Sequence, residues 1–526
     1  MGVIEGRDVT SDRREETDVL VIGSGAGGAT VAMRMAEAGK RVLVLERGGY
    51  YTGLADPIEP GKPGRGQLDQ REDDMIVRID GDRGLGTTSD GQVALTYGNC
   101  VGGATVHYWA DSYRTPPDRL ALWESQYGVD AHSEDELRPW FAQIEKDLAI
   151  VPAPETYLNG CNVLFKKGVE TLRWHGEPVP QARRGCLKSG YCMQGCAYDA
   201  KQSMLVTYVP RAVRSGALVY ADARVERILA EGGRATGAVA VVMDRDTNRP
   251  SGRRIEVRAK IVVLAAGGYG SAPLLLRSRL ANRSGQVGRN LRANPCSMVF
   301  GIFDHDVVMW RGIPAAFGCL EWRLARDEQG HYREGGYLLM PNQLQPAGLA
   351  AFLPGFGAEH RRLMEAMPRI ASTIAWIDDV ESGSITLARD GSVETSLPIA
   401  GRNALMLRDS MKKGAHALLA AGAREVFLAD AVGTRIRDEK DLGRIDGVEI
   451  GPGAMSFAAP HPAGACRMGR DPATSVVKST GETHEVANLY VADPSVFPTA
   501  VSVDPSETIM AFSHVLADRV LQRGVV

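Results

Sequence analysis

Short apolar runs that end in glycines alternate with amphipathic stretches along this chain, and the first of them sets the expected architecture. Asp18–Ile22 has no polar alternation, which suits a strand buried on both faces. Gly27–Ala38 reads as a helix of small residues that allow close packing, with Gly39 placed to stop it. Arg41–Leu45 is a second buried strand, ending at Glu46. Together these predict a complete βαβ unit. Further along, Val219–Val242 predicts two or three strands and Ile255–Leu264 another, closing on glycines at Ala265–Gly270. Leu489–Asp493 predicts a last short strand and Pro505–Gln522 a final amphipathic helix.

Between these segments the pattern changes. Residues 51–95 are rich in Gly, Pro, Asp and Arg, which predicts a long irregular excursion. Residues 116–180 carry helical periodicity, as in Glu134–Leu148. From about 300 to 450 short strands alternate with turns around one clear helix near Ala404–Ala421, which predicts a mostly antiparallel substrate domain. No internal repeat or low-complexity tract interrupts the order.

Composition narrows the class. The 526 residues hold 61 Lys plus Arg and 64 Asp plus Glu, a formal charge of −3. That balance argues against a nucleic-acid groove or a membrane-surface patch as the main business. No apolar run reaches the roughly 18 residues of a membrane span. Met1–Glu16 is polar and lacks the apolar core of a signal peptide, so the expected location is the cytoplasm, export with a partner apart. Eight cysteines are too sparse for a disulfide scaffold. Sixty glycines exceed the usual share and predict tight turns or backbone lying against a ligand.

The first glycine cluster carries chemistry. Gly23, Gly25 and Gly28 form G-x-G-x-x-G between a strand and a helix. The first glycine makes the turn, the second lets a pyrophosphate approach the backbone, and the third lets helix pack on strand. Glu46 ends the next strand 18 residues after Gly28, where a carboxylate meets ribose hydroxyls. The motif does not choose between NAD and FAD. A second glycine-rich segment does, with Gly102 and Gly103 placed for a flavin to lie against backbone and His107 four residues on.

These motifs, with Leu264–Pro273, His461–Gly469, Tyr490–Asp493 and the final helix, resemble the glucose–methanol–choline (GMC) oxidoreductases. The resemblance implies an α/β chain with a discontinuous Rossmann-like FAD-binding domain at 17–115, 200–300 and 455–526. It also implies a cap or linker region at 116–199 and an antiparallel-sheet substrate-binding domain with helices at 301–454, the latter assigned by position only. The implied cofactor contacts are Gly23, Gly25, Gly28, Glu46, Gly102, Gly103, Val225 and Asp493, with His107 as the site of a covalent flavin link. The implied activity is oxidation of an alcohol or sugar hydroxyl by hydride transfer to flavin. His461 aligns with the family's catalytic base, and its unperturbed pKa near neutrality suits that task.

Asp504 departs from the histidine or asparagine usual in the family. Two readings stand beside each other. Asp504, Pro505 and Glu507 form a capping-box-like helix start, and a carboxylate here also accepts a substrate proton or orients His461. Cys186, Cys192 and Cys196 form C-x5-C-x3-C, a spacing that resembles FAD-dependent sugar dehydrogenases carrying a three-iron (3Fe-4S) cluster. Related enzymes keep such cysteines without a cluster. The cluster reading brings an electron-acceptor protein or quinone and a small accessory subunit as partners. Three rival readings remain: an oxygen-reducing oxidase like the pyranose oxidases, a non-redox FAD-containing lyase, and an electron-transfer subunit with a dormant flavin. The substrate itself does not follow from the sequence.

Overall fold

A computed structural model describes residues 2–326 and 332–524. The βαβ unit is there: strand Arg13–Ile22, helix Ala26–Glu37 and strand Val42–Leu45. The strand starts five residues earlier than its apolar run, because Arg13–Thr17 pair in parallel with the outer half of Arg249–Leu264. Val19–Ile22 are all buried and most of Arg13–Asp18 is not, so only the inner end of the strand shows as a fully apolar run.

The first sheet runs, in order, Val3–Ile4, Leu218–Tyr220, Val42–Leu45, Arg13–Ile22, Arg249–Leu264, Arg234–Asp244 and Ala223–Glu231, with Leu489–Val491 added beside Arg249–Leu264. Its centre is parallel, with Val21 opposite both Val44 and Val263, and Val263 opposite Tyr490. The last two strands of that order run antiparallel to their neighbours. The carboxyl ends of the parallel strands meet at one edge, where ligands bind in open α/β sheets.

The second sheet contains Arg435–Ile436, Glu425–Leu428, Cys296–Ile302, Ile370–Ile377, Tyr337–Pro341, Phe317–Cys319 and Gly176–Pro178, with Phe457–Ala459 and Val93–Leu95 alongside. The helix Gly401–Ala421 packs across it, and a Cβ at Gly414 would come 2.4 Å from the Thr373 hydroxyl. This sheet reaches beyond 301–454. It draws Val93–Leu95, Gly176–Pro178, Cys296 and Phe457–Ala459 from segments that the sequence attached to the cofactor domain or the linker. Strand pairing across distant segments leaves no local signature, which is why a linear boundary misses it.

The long excursion holds one short α-helix, Glu72–Ile79, followed by a 3-10 turn at Gly81–Gly84. The region after it returns to the second sheet through the helix Pro117–Leu122. There Arg119, fully buried, pairs with Asp378 and donates to the Thr499 hydroxyl at 2.8 Å. The helix Glu134–Leu148 begins at Ser133, which makes a true capping box with Glu136. The two sheets face each other over a cavity of about 960 Å³. Among the described residues no helix is long and apolar enough to cross a membrane.

Candidate active site

The cavity is continuous from the βαβ turn to the second sheet, and its two ends differ in chemistry. At the first end Gly23, Gly25, Glu46 and Val225 form the wall. Gly23 has φ +101, and a Cβ there would lie 2.2 Å from the Ala265 carbonyl oxygen. Gly28 does not line the cavity; its bare Cα faces the Gly23 carbonyl, 2.1 Å from where a Cβ would sit. It sets how closely helix Ala26–Glu37 meets the strand behind it. The helix N-terminus therefore opens directly onto the cavity, with unpaired amide donors suited to a pyrophosphate.

Glu46 is buried and both of its oxygens are held. Oε2 accepts from the Ser24 amide at 2.9 Å and the Ser24 hydroxyl at 2.7 Å, and Oε1 accepts from the Gly48 amide at 2.9 Å. Burial raises its pKa against these bonds. The Ser24 hydroxyl also accepts from the Gly102 amide at 3.0 Å, which ties the second glycine segment to the first. Gly102 serves this turn from behind, with φ +97, and does not line the cavity. Gly103 does line it and presses on Gly25: a Cβ would lie 2.6 Å from the Gly25 Cα. The two bare backbones thus pack directly on each other and present main chain, not side chain, to the cavity, which fits a flat cofactor lying against them.

His107 follows in the same wall, buried, with Nε2 lacking a hydrogen-bond partner and 3.9 Å from Asp80 Oδ2. Burial pushes its pKa down to about 3, so the imidazole is neutral and nucleophilic. Asp493 also lines the cavity, but its oxygens are spent on the backbone, accepting from the Gly267 amide at 3.1 Å, the Ser495 amide at 2.9 Å and the Ser271 hydroxyl.

At the other end the chemistry changes from cradle to acid and base. The His461 ring packs tilted against Trp376, centroids 5.1 Å apart, and Trp376 meets Trp109 edge-on at 6.0 Å. His461 Nε2 lies 3.6 Å from Asp504 Oδ1. Burial lowers the His461 pKa to about 3 and raises that of Asp504 to about 7. The pair is therefore a neutral imidazole beside a carboxyl that titrates near neutrality.

The capping reading of Asp504 does not hold. The final helix is Ser506–Gln522, Pro505 stands at its cap position with helical backbone angles, and no side chain caps it. Asp504 Oδ2 has no hydrogen-bond partner, and neither oxygen of Glu507 has one. Pro505 already supplies the helical φ and has no N–H to satisfy. The Asp504 side chain is turned to His461 instead.

The structure gives the cysteine expectation no support. Among the described residues no three His, Cys, Asp or Glu side chains form a group able to hold a metal ion. Gly190 and Gly195, both at positive φ, fold Cys192 inward, while Cys186 and Cys196 stay half-buried. Cys192 Sγ accepts from Arg183 at 3.3 Å, and Cys186 Sγ accepts from the Lys188 amide at 3.4 Å. The segment is pinned by the buried Lys201 ammonium, which donates to the carbonyls of Cys192, Val106 and Tyr108. It thereby holds the turn that carries His107.

Sequence reasoning missed Asp111, Trp109 and Trp376. Asp111 lines the cavity near Asp504, with Oδ1 accepting from the Gln181 amide at 2.7 Å. Burial first and the Asp504 charge second raise its pKa well above the carboxylate range. The one available signal was a lone acid in the otherwise uncharged run from Tyr108 to Tyr113.

Comparison with known proteins bears on this arrangement. Models of the GMC oxidoreductase family match residues 17–296 and 383–513. The chain is 31% identical over 512 residues to an uncharacterized GMC-type oxidoreductase of Mycobacterium tuberculosis, covering 97% of this chain and 76% of that protein. It is 26% identical over 530 residues to a long-chain-alcohol oxidase of Arabidopsis thaliana, covering 96% and 68%. The fold matches that of a pyridoxine 4-oxidase from Mesorbium loti with TM-score 0.69 at 18% identity, covering 96% and 99%.

Proposed function

Because the chain belongs to the GMC oxidoreductases, which act on CH–OH groups, we propose that it is an FAD-dependent alcohol or sugar dehydrogenase with His461 as the base. One observation carries this reading: the cavity that begins at the bare glycine backbones ends at a neutral imidazole 3.6 Å from a carboxyl group. Gly23, Gly25, Glu46 and Gly103 are placed to hold the cofactor, with Val225 and Asp493 alongside. Bound FAD supplies the hydride acceptor.

The residues then divide the work. Trp109 and Trp376 wall the substrate and keep water from the reacting carbon. His461 Nε2 takes the hydroxyl proton as the carbon–hydrogen bond breaks. Asp504, when ionised, faces the imidazolium that this creates and stabilises it. The sign of the pH effect follows. His461 is already neutral above about pH 3, so the rising limb belongs to Asp504. Activity should climb as pH rises through about 7, where the carboxyl loses its proton, and then level off. Asp504→Asn should remove that limb and slow flavin reduction by roughly 10- to 100-fold. A variant with normal turnover and an unchanged pH profile would exclude Asp504 from the chemistry.

The neutral His107, whose Nε2 has no hydrogen-bond partner, supports a covalent link to the flavin. Acid-precipitated protein should then keep its yellow colour in the pellet, and His107→Ala should release it to the supernatant. A colourless wild-type pellet means a non-covalent cofactor.

The alcohol oxidase among the relatives favours a second reading, in which oxygen takes the electrons. An anaerobic screen of alcohols and sugars, followed by flavin absorbance, tests the common part. Bleaching is expected; no bleaching by any hydroxyl compound overturns the proposal and leaves the lyase reading. Peroxide formed under air then separates oxidase from dehydrogenase.

A further inference from the structure

We propose that Glu507 relays the proton of alcohol oxidation from the Asp504–Asp111 carboxyl pair to the Arg114–Glu145 ion pair at the surface. The inference rests on the oxidation reading above and concerns where the proton goes after His461.

Alcohol oxidation leaves a proton behind at the buried end of the cavity. The substrate O–H bond breaks and the proton forms an N–H bond at His461, while the electron pair departs with the carbon-bound hydrogen. An imidazole whose neutral form is this strongly favoured by burial does not keep a proton. Asp504 is its nearest carboxyl, and Asp111 is electrostatically tied to Asp504. Both line the cavity but are buried, Asp111 at 3% and Asp504 at 7% exposure, so neither side chain stands at the protein surface.

Glu507 stands behind that wall. It is fully buried, does not line the cavity, and neither of its oxygens has a hydrogen-bond partner. A carboxyl in that state is costly to keep unless it does something. Its neighbours fix its place. Ser506 donates to the Asp111 carbonyl at 3.2 Å, and the Thr508 hydroxyl bonds the Thr115 hydroxyl at 2.7 Å. Glu507 is thus held between the cavity residue Asp111 and the segment that carries Arg114. Arg114 forks onto Glu145 at 2.6 and 2.7 Å, and its side chain is 46% exposed.

The charged and titratable groups that face Glu507 agree with this order. Glu145 and Arg114 act on it from the surface side, and its own charge is felt by Tyr108 on the cavity side. Burial raises its pKa to about 9, so at neutral pH it holds a proton ready to hand on. With both oxygens untied, no hydrogen bond fixes the carboxyl to either side. In each turnover Asp504 takes the proton from His461, the pair passes one to Glu507, and Glu507 gives one to solvent at Glu145. No electron moves along this path.

The test uses the holoenzyme in a weakly buffered, oxygen-free solution with a pH indicator and one equivalent of an alcohol that bleaches the flavin. In the wild type, proton release should keep pace with flavin bleaching. In Glu507→Gln, which mimics the protonated side chain in shape and charge, bleaching should stay within about twofold while proton release lags about tenfold or more. Glu507→Asp should recover part of the release rate. Infrared spectroscopy of the resting wild type should show a protonated carboxyl band at neutral pH that Glu507→Gln removes. Release in Glu507→Gln that keeps pace with bleaching overturns the relay while leaving the oxidation reading intact. Absence of bleaching in the wild type overturns the oxidation reading and the relay with it. If Glu507→Gln does not fold, a wild-type spectrum without that band at neutral pH overturns the relay by itself.

Discussion

His461→Ala should slow substrate-driven bleaching of the bound flavin by about 10²- to 10⁴-fold, the usual worth of a positioned general base. The loss should appear in the reduction step and spare cofactor content. His461 touches the cradle only through the shared cavity, and its ring rests on Trp376. The variant leaves a small hole against an indole, so the thermal midpoint should move little compared with the rate. Its buried surroundings sharpen the expectation. Burial holds the imidazole neutral down to about pH 3, so the wild type keeps its base ready across the working range. Strong alkali alone should restore part of the variant's rate, because hydroxide then replaces the missing base. Anaerobic stopped-flow absorbance with a good substrate decides the matter, and a rate within twofold of wild type would remove His461 from the reaction.

Gly23→Ala should yield a protein that purifies without flavin and melts well below the wild type, with a cost of roughly 3 kcal/mol or more from overpacking and left-handed strain. The Gly23 amide donates to the Leu45 carbonyl at 2.9 Å, and the Ala265 amide donates to the Ile22 carbonyl at 2.8 Å. Gly23 is therefore where three parallel strands end together. A methyl group would lie 2.2 Å from the Ala265 oxygen at φ +101, and backbone, unlike a flexible side chain, cannot step aside cheaply. Relief requires the turn to shift, and that turn sets the entrance of helix Ala26–Glu37 and the Ser24–Glu46 bonds. Flavin-to-protein absorbance and a thermal melt measure both effects. A yellow variant with an unchanged midpoint would mean that the cofactor does not depend on this turn.

The two predictions differ in how early they were legible. Gly23 belongs to a motif whose function is local: a tight turn, a bare backbone and a helix start within six residues. The Ser133 cap likewise depends on four consecutive residues. His461 was legible through the motif around it. Asp504 was visible as a residue but not as a neighbour. Its sequence context, followed by Pro505 and Glu507, satisfies the rules for a helix cap, and only the packed chain shows the side chain turned to His461. Local rules propose the cap because they cannot see a partner 43 residues away.

The cysteine segment shows the converse. Spacing of three thiols along the chain permits a shared metal, but the direction of each sulfur depends on two left-handed glycines and on the cations Arg183 and Lys201 packed beside them. By itself, then, the sequence determined the βαβ unit and the family and named His461 as the proposed base, because each rests on contacts between residues close in the chain or on a motif read whole. The tertiary structure alone decided what surrounds His461: Trp109 and Asp111 from one segment, Trp376 from a second and Asp504 from a third converge on it. It alone sealed Glu507 behind them. The reason is physical. Burial and mutual charge set how these groups hold protons, and both are properties of the packed interior that no linear pattern contains.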